Sequence, residues 1–89
     1  MITRVLQVTN KLGIHARPAG MIVEITTHAQ SDVQICYGDS RANAKSILNV
    51  MMLAAEPGSE IKFVINGPDA ERVAEELEKL FANRFYEDC

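Results

Sequence analysis

Residues 10–20, N-K-L-G-I-H-A-R-P-A-G, mark the place where the chain changes its hydrophobic period from two to 3.6. Before them, residues 3–9 are rich in β-branched side chains, and Leu6 and Val8 alternate with Gln7, which predicts a half-buried strand over residues 2–9. After them, Ala19, Ile22, Val23 and Thr26 follow the i, i+3, i+4, i+7 spacing of one helix face, which predicts a helix over residues 16–29. Gly13 supplies the turn between the two. Pro18 suits a first helical turn, because the N–H it lacks has no intrahelical acceptor there.

The same stretch places His15 and Arg17 at the mouth of that helix. The early N–H groups of residues 16–19 are expected to face the space beside His15, and such a helix end attracts anions. The positive end of a helix disfavours a cationic imidazole beside it, and a neutral imidazole is a nucleophile. If it attacks phosphorus, backbone donors and a guanidinium stand ready to hold the phosphoryl group. His15 and Arg17 therefore form a candidate phosphoryl-accepting site. A loop His beside an Arg is also an ordinary solvated surface pair, and spacing alone leaves both readings open.

Further along, Val33, Ile35 and Tyr37 alternate with Gln34 and Cys36, Gly38 and Asp39 supply a turn, and residues 40–43 return as a short partner strand. Ser46 is a predicted N-cap for a short apolar helix over residues 47–53, ended by the Pro57-Gly58 turn. Ile47, Leu48, Met51 and Met52 make this helix apolar nearly all round, so half of them are expected in the core and the rest in an exposed patch beside His15, where pliable Met side chains suit partners of different shape. Ile61, Phe63 and Ile65 alternate with Lys62, Val64 and Asn66, which predicts a fourth strand over residues 60–66. Gly67, Pro68 and Asp69 then provide a turn and a helix-start acid. Ala70, Val73, Ala74, Leu77, Leu80 and Phe81 form the stripe of a long helix, with Glu71, Arg72, Glu75, Glu76 and Lys79 toward water. Residues 83–89 read as a polar, frayed tail.

The order β-α-β-β-α-β-α, with no repeat or linker, predicts an α+β two-layer sandwich in one domain spanning residues 1–89. A hydrophobic content of 47% with 24% charged residues is ordinary for a globular chain, and no apolar run is long enough to cross a bilayer. The first residues pass directly into a strand and lack a signal-peptide core, so the cytoplasm is the expected location. Cys36 is expected within a strand and Cys89 in the exposed tail, without metal-ligand spacing or a disulfide framework. Residues 1–50 carry five Lys/Arg against three Asp/Glu, a net of +2, and residues 51–89 carry four against nine, a net of −5. The basic part contains His15, which suits acidic partners or phosphate. Nucleic acid is not expected, since no basic stripe with interleaved aromatics exists.

The run G-I-H-A-R-P-A at residues 13–19 resembles the active-site signature of HPr, the histidine-containing phosphocarrier family of the bacterial phosphoenolpyruvate-dependent sugar phosphotransferase system. Chain length, the Lys45-Ser46-Ile47-Leu48 segment and the amphipathic C-terminal helix extend the resemblance over essentially the whole chain. It implies an open-faced β-sandwich, a four-stranded antiparallel sheet covered on one face by three helices. It also implies that His15 accepts a phosphoryl group on ring Nδ1 from Enzyme I and passes it to Enzyme II A components, with Arg17 stabilising the phosphoryl group. Ser46 is implied as a target of an ATP-dependent HPr kinase/phosphorylase, and Ile47, Leu48, Met51 and Glu24 as partner-docking residues. Such a protein is a monomeric, stoichiometric carrier that needs no cofactor or metal.

Two departures from the family pattern stand out. Asn49 replaces a small Gly after Ser46, and Glu24 and Thr27 lie where many members carry basic or neutral polar side chains. Glu24 points to co-adapted partners or to a nitrogen-related branch. His28 reads as a solvated helix-end residue. The alternative function is a regulatory binding module, controlled by phosphorylation and acting on a transcriptional regulator without sugar transport.

Overall fold

The computed structural model describes residues 1–86. Its elements, in chain order, are β1 (Ile2–Gln7), α1 (Ala16–Thr27), β2 (Asp32–Tyr37), β3 (Ser40–Asn43), α2 (Ile47–Met52), β4 (Glu60–Asn66), α3 (Ala70–Ala82) and a short turn of helix at Arg84–Tyr86. The four strands form one sheet in the order β1-β4-β2-β3, and every neighbouring pair is antiparallel. β1 and β2 are therefore parallel with β4 inserted between them, and β3 and β4 are parallel with β2 between. Both connections, through α1 and α2, place a helix on the sheet, and α3 follows β4, so the three helices cover one face.

Strand alternation builds the core. Ile61, Phe63 and Ile65 of β4 are fully buried, with Val33 and Ile35 of β2 at their flank in register, Val33 against Ile65 and Ile35 against Phe63. Above them lie Val73, Ala74, Leu77, Leu80 and Phe81 of α3 and Ala19 and Ile22 of α1. Each large aliphatic or aromatic side chain buried this way contributes about 1.5–3 kcal/mol. The opposite face of the sheet is open, and Cys36 sits there, half-exposed, with Arg41 and Lys62 as its cross-strand neighbours. None of the helices described is long and apolar enough to cross a membrane.

Several sequence expectations are corrected. The first strand ends at Gln7, where Val8 leaves the ladder to exchange hydrogen bonds with the 58–59 turn, its N–H donating to the Ser59 carbonyl at 2.9 Å and its carbonyl accepting from the Gly58 N–H at 2.7 Å. α2 stops at Met52, because Ala54 takes a φ of 54° three residues before Pro57. Only Val50 of α2 is buried, whereas Ile47, Leu48, Met51 and Met52 are all exposed, so none of those four belongs to the core. The segment after α3 is not frayed up to residue 86. Arg84, Phe85 and Tyr86 each have φ between 51° and 57°, and this left-handed turn folds Phe85 back until it is fully buried against Phe81, with ring centroids 4.7 Å apart. Cys89 lies outside the described residues.

Asp69 also acts differently from a helix-start acid. Its side chain makes no cap bond within α3 but accepts from the Ser31 hydroxyl, from the Gln30 and Ser31 N–H groups at 2.9 and 3.0 Å, and from the Arg72 guanidinium at 3.0 Å. Gly67 makes this approach possible, since a Cβ there would lie 2.5 Å from the Ser31 Cα. The α1–β2 loop is thereby stapled to the start of α3.

Two outcomes follow. Phe85→Ala is expected to lower stability by about 3–5 kcal/mol, the usual loss for a buried Phe, in urea unfolding; a truly frayed tail gives no change. The Ser31 hydroxyl, then the Gln30 N–H and the remaining donors, hold the Asp69 carboxyl well below the usual carboxylate range. A carboxyl depressed in the folded state stabilises the protein above its unfolded value, about 3.9, and loses that contribution as pH falls below it. Asp69→Asn should therefore lower the thermal midpoint at pH 7, with the gap to the parent protein starting to narrow as pH falls below about 4.

Candidate functional site

The site begins where β1 has to become α1. Gly13 has a φ of 74°, a conformation that glycine adopts without strain, and the Ala55 carbonyl would lie 2.6 Å from a Cβ at that position. The Ile14 N–H donates to the same carbonyl at 3.0 Å, and Asn10 Nδ2 donates to the Gly13 carbonyl at 2.8 Å. Ile14 and Asn10 are both buried. The turn is thus pressed onto the connection between α2 and β4, and His15 emerges from it as the N-cap of α1, in extended backbone with φ −93°.

From there the helix is wound by its own carbonyls. The Ala19 N–H takes the His15 carbonyl at 3.0 Å, and Pro18 has no N–H to give. The donors at the open end are therefore those of Ala16 and Arg17, fewer than the four residues the sequence suggested. The His15 ring does not cap its own helix, and is half-buried, while Arg17 is exposed and Pro18 is buried against the core. An imidazole, two backbone donors and a guanidinium, all within three residues of one helix end, suit a covalently held dianion. Among the described residues no group of three or more His, Cys, Asp or Glu gathers as a metal would need.

α2 lies beside this helix end. A Cβ on Gly20 would stand 3.6 Å from Ile47 Cδ1, so Ile47 rests on α1 one turn beyond Arg17, with Leu48, Met51 and Met52 exposed on the same short helix. Ser46 caps α2, its hydroxyl oxygen accepting the Asn49 N–H at 3.3 Å. Asn49 therefore contributes its backbone to the cap, whatever its side chain. Glu24 lies farther down α1. It lies about 13 Å along α1 from His15, and with Met21, Ile25 and His28 it lines a groove whose far wall is Arg72, Glu76 and Leu80 of α3. His28 Nδ1 is 2.7 Å from the Glu24 carbonyl, which the Nδ1–H tautomer satisfies. Sequence reading missed Asn10 and the Ala55 carbonyl. The only signal for Asn10 was an Asn three residues before a turn Gly, and a backbone carbonyl leaves none.

Comparison with known proteins points to one family. The family profile described as "PTS HPr component phosphorylation site" matches residues 2–83. The chain is 40% identical over 88 residues to the phosphocarrier protein HPr of Treponema pallidum, covering 99% of this chain and 100% of that one. It is 42% identical over 88 residues to the HPr of Xylella fastidiosa strain Temecula1, covering 99% of each. The crystal structure of HPr-C-His from Thermoanaerobacter tengcongensis is similar over the whole of both chains, with a TM-score of 0.95 at 30% identity.

Gly13→Ala tests the geometry of the turn. With both a positive φ and the Ala55 carbonyl against it, the variant is expected to lose roughly 1–3 kcal/mol in urea unfolding. Gly38→Ala, at a positive φ but with open space around it, is expected to lose less.

Proposed function

Because the chain belongs to the HPr family of phosphocarriers, we propose that it relays phosphoryl groups in a phosphoenolpyruvate-dependent phosphotransferase chain through His15. Enzyme I, charged from phosphoenolpyruvate, is the donor, and Enzyme II A components are the acceptors. The Nδ1 lone pair of His15 attacks phosphorus, the bond to the donor breaks, and its electron pair leaves with the donor. In the second transfer the imidazole is the leaving group. What supports this reading is the open end of α1, where the Ala19 N–H donates to the His15 carbonyl and the N–H groups of Ala16 and Arg17, in the first turn, have no acceptor within the helix. Donors fixed in advance where charge arrives need no reorganisation when it does. Arg17 adds a planar cation whose charge does not titrate away.

Docking follows from the exposed residues beside the site. Ile47, Leu48 and Met51 offer an apolar surface next to Arg17, and a hydrophobic centre flanked by charge is a usual interface pattern. Glu24, in the α1–α3 groove, sits at the margin and selects partners by charge rather than by apolar contact. The carrier works as a cytoplasmic monomer without metal or cofactor. A second reading, regulation through Ser46, is favoured by the cap itself. A phosphate on that hydroxyl keeps the acceptor at the start of α2 and adds nearly two negative charges beside the docking residues.

Two measurements test these readings. With Enzyme I and labelled phosphoenolpyruvate, the protein is expected to take up acid-labile, base-stable label that is lost in His15→Ala, and Arg17→Ala is expected to slow uptake about tenfold or more. No label in the parent protein sinks the relay, and unchanged kinetics remove Arg17 from it. Incubation with an HPr kinase and ATP, followed by mass mapping, is expected to place phosphate on Ser46. Its absence there excludes that regulation.

A further inference from the structure

Among the described residues three polar ones are buried: Asn10 at 1% exposure, and Thr26 and Ser31 at 0%. Thr26 and Ser31 have structural uses, since the Thr26 hydroxyl donates to the Ala44 carbonyl at 2.7 Å and Ser31 meets Asp69. Asn10 is different because its hydrogen bond goes to the turn that carries His15. A buried amide loses its hydration and is tolerated only when hydrogen-bonded, so the position of Asn10 is set by the bond it makes.

That bond acts on one peptide unit. The Gly13 carbonyl and the Ile14 N–H belong to the same rigid plane. The carbonyl end accepts from Asn10 Nδ2 at 2.8 Å, and the N–H end donates to the Ala55 carbonyl at 3.0 Å. The plane is gripped at both ends, and the Ile14 side chain beyond it is buried. Only the two backbone torsions of Ile14 separate this fixed plane from the next peptide, whose N–H belongs to His15. A displaced nucleophile is expensive in rate, since a misplacement of about 1 Å slows a reaction about a hundredfold.

We propose that Asn10 is a positioning residue for phosphoryl transfer, holding the peptide between Gly13 and Ile14 so that His15 stands correctly beside the Ala16 and Arg17 N–H groups. The proposal rests on the phosphocarrier reading. Asn10 does not touch the phosphoryl group and acts through the backbone.

The test compares Asn10→Ala and Asn10→Ser, whose hydroxyl is one bond too short to reach the Gly13 carbonyl, with Thr26→Val, which removes a buried hydrogen bond far from the turn. Single-turnover labelling by saturating Enzyme I is measured well below each melting temperature, together with hydrogen exchange of the Ile14 amide. The Asn10 variants are expected to label about tenfold more slowly and to exchange Ile14 about tenfold faster, while Thr26→Val labels at the parent rate even if its melting temperature falls further. Asn10 variants that label at the parent rate overturn the proposal. So does slowing that tracks the melting temperature across all three variants, which is the behaviour of a merely structural residue. If the parent protein takes no label from Enzyme I, the phosphocarrier reading fails on that result alone. Ile14 exchange then decides whether Asn10 grips the turn, and unchanged exchange overturns the grip.

Discussion

The structure depends on how β1 is joined to α1. A strand leaving the edge of the sheet has to reverse and start a helix within a few residues, and it does so by lying against the α2–β4 connection. The Ala55 carbonyl accepts the Ile14 N–H and leaves room at Gly13 for a hydrogen atom alone. Val8 exchanges hydrogen bonds with Gly58 and Ser59 just below. Two segments some forty residues apart in sequence are thus made into one ledge, and the first turn of α1 is mounted on it. Were the ledge looser, His15 and the two helix donors would still be present but would not share a fixed geometry.

The same join brings the exposed apolar residues of α2 beside the first turns of α1. α2 precedes the ledge and packs on α1 through Ile47 and Gly20, so the apolar residues of α2 come to the side of α1 that bears Arg17. With Val50 as its one fully buried residue, α2 rests on the core through a narrow contact and shows Leu48 and Met52 broadly to solvent at 64% and 72% exposure. Its isolated stability is low, because a helix of six residues is far below the length that holds in water. The Ser46 cap and the packing on α1 keep it formed.

Much of this was legible in the sequence. The strands and helices followed directly from periodicity, most clearly in Glu60–Asn66 and Ala70–Ala82, where one-sided burial imposes a strict pattern. His15 and Arg17 stood out as site candidates because Pro18 marks a helix start and the surrounding run is specific. Legibility failed where a residue's partner is distant. Asp69 looks like a cap in a local reading, yet its acceptor capacity is used by residues 30 and 31 across a loop. Phe85 lies in a polar neighbourhood, and only three successive left-handed residues, which no local preference suggests, carry it back to Phe81. The apolar composition of α2 suggested that half of Ile47, Leu48, Met51 and Met52 enter the core, but a sheet this narrow has little core left for them once α1 and α3 are in place. The hydrogen bond from Asn10 to the Gly13 carbonyl was invisible because a backbone carbonyl leaves no mark in the sequence.

We propose that the phosphoryl group on His15 Nδ1 is held by the N–H groups of Ala16 and Arg17. Nuclear magnetic resonance of the 15N-labelled protein before and after phosphorylation measures this directly. Phosphorus–nitrogen coupling to Nδ1 and large downfield shifts of the Ala16 and Arg17 amide protons are expected, with the sheet amides unmoved. A phosphoryl group on Nε2, or amide shifts absent from residues 16 and 17, would contradict it.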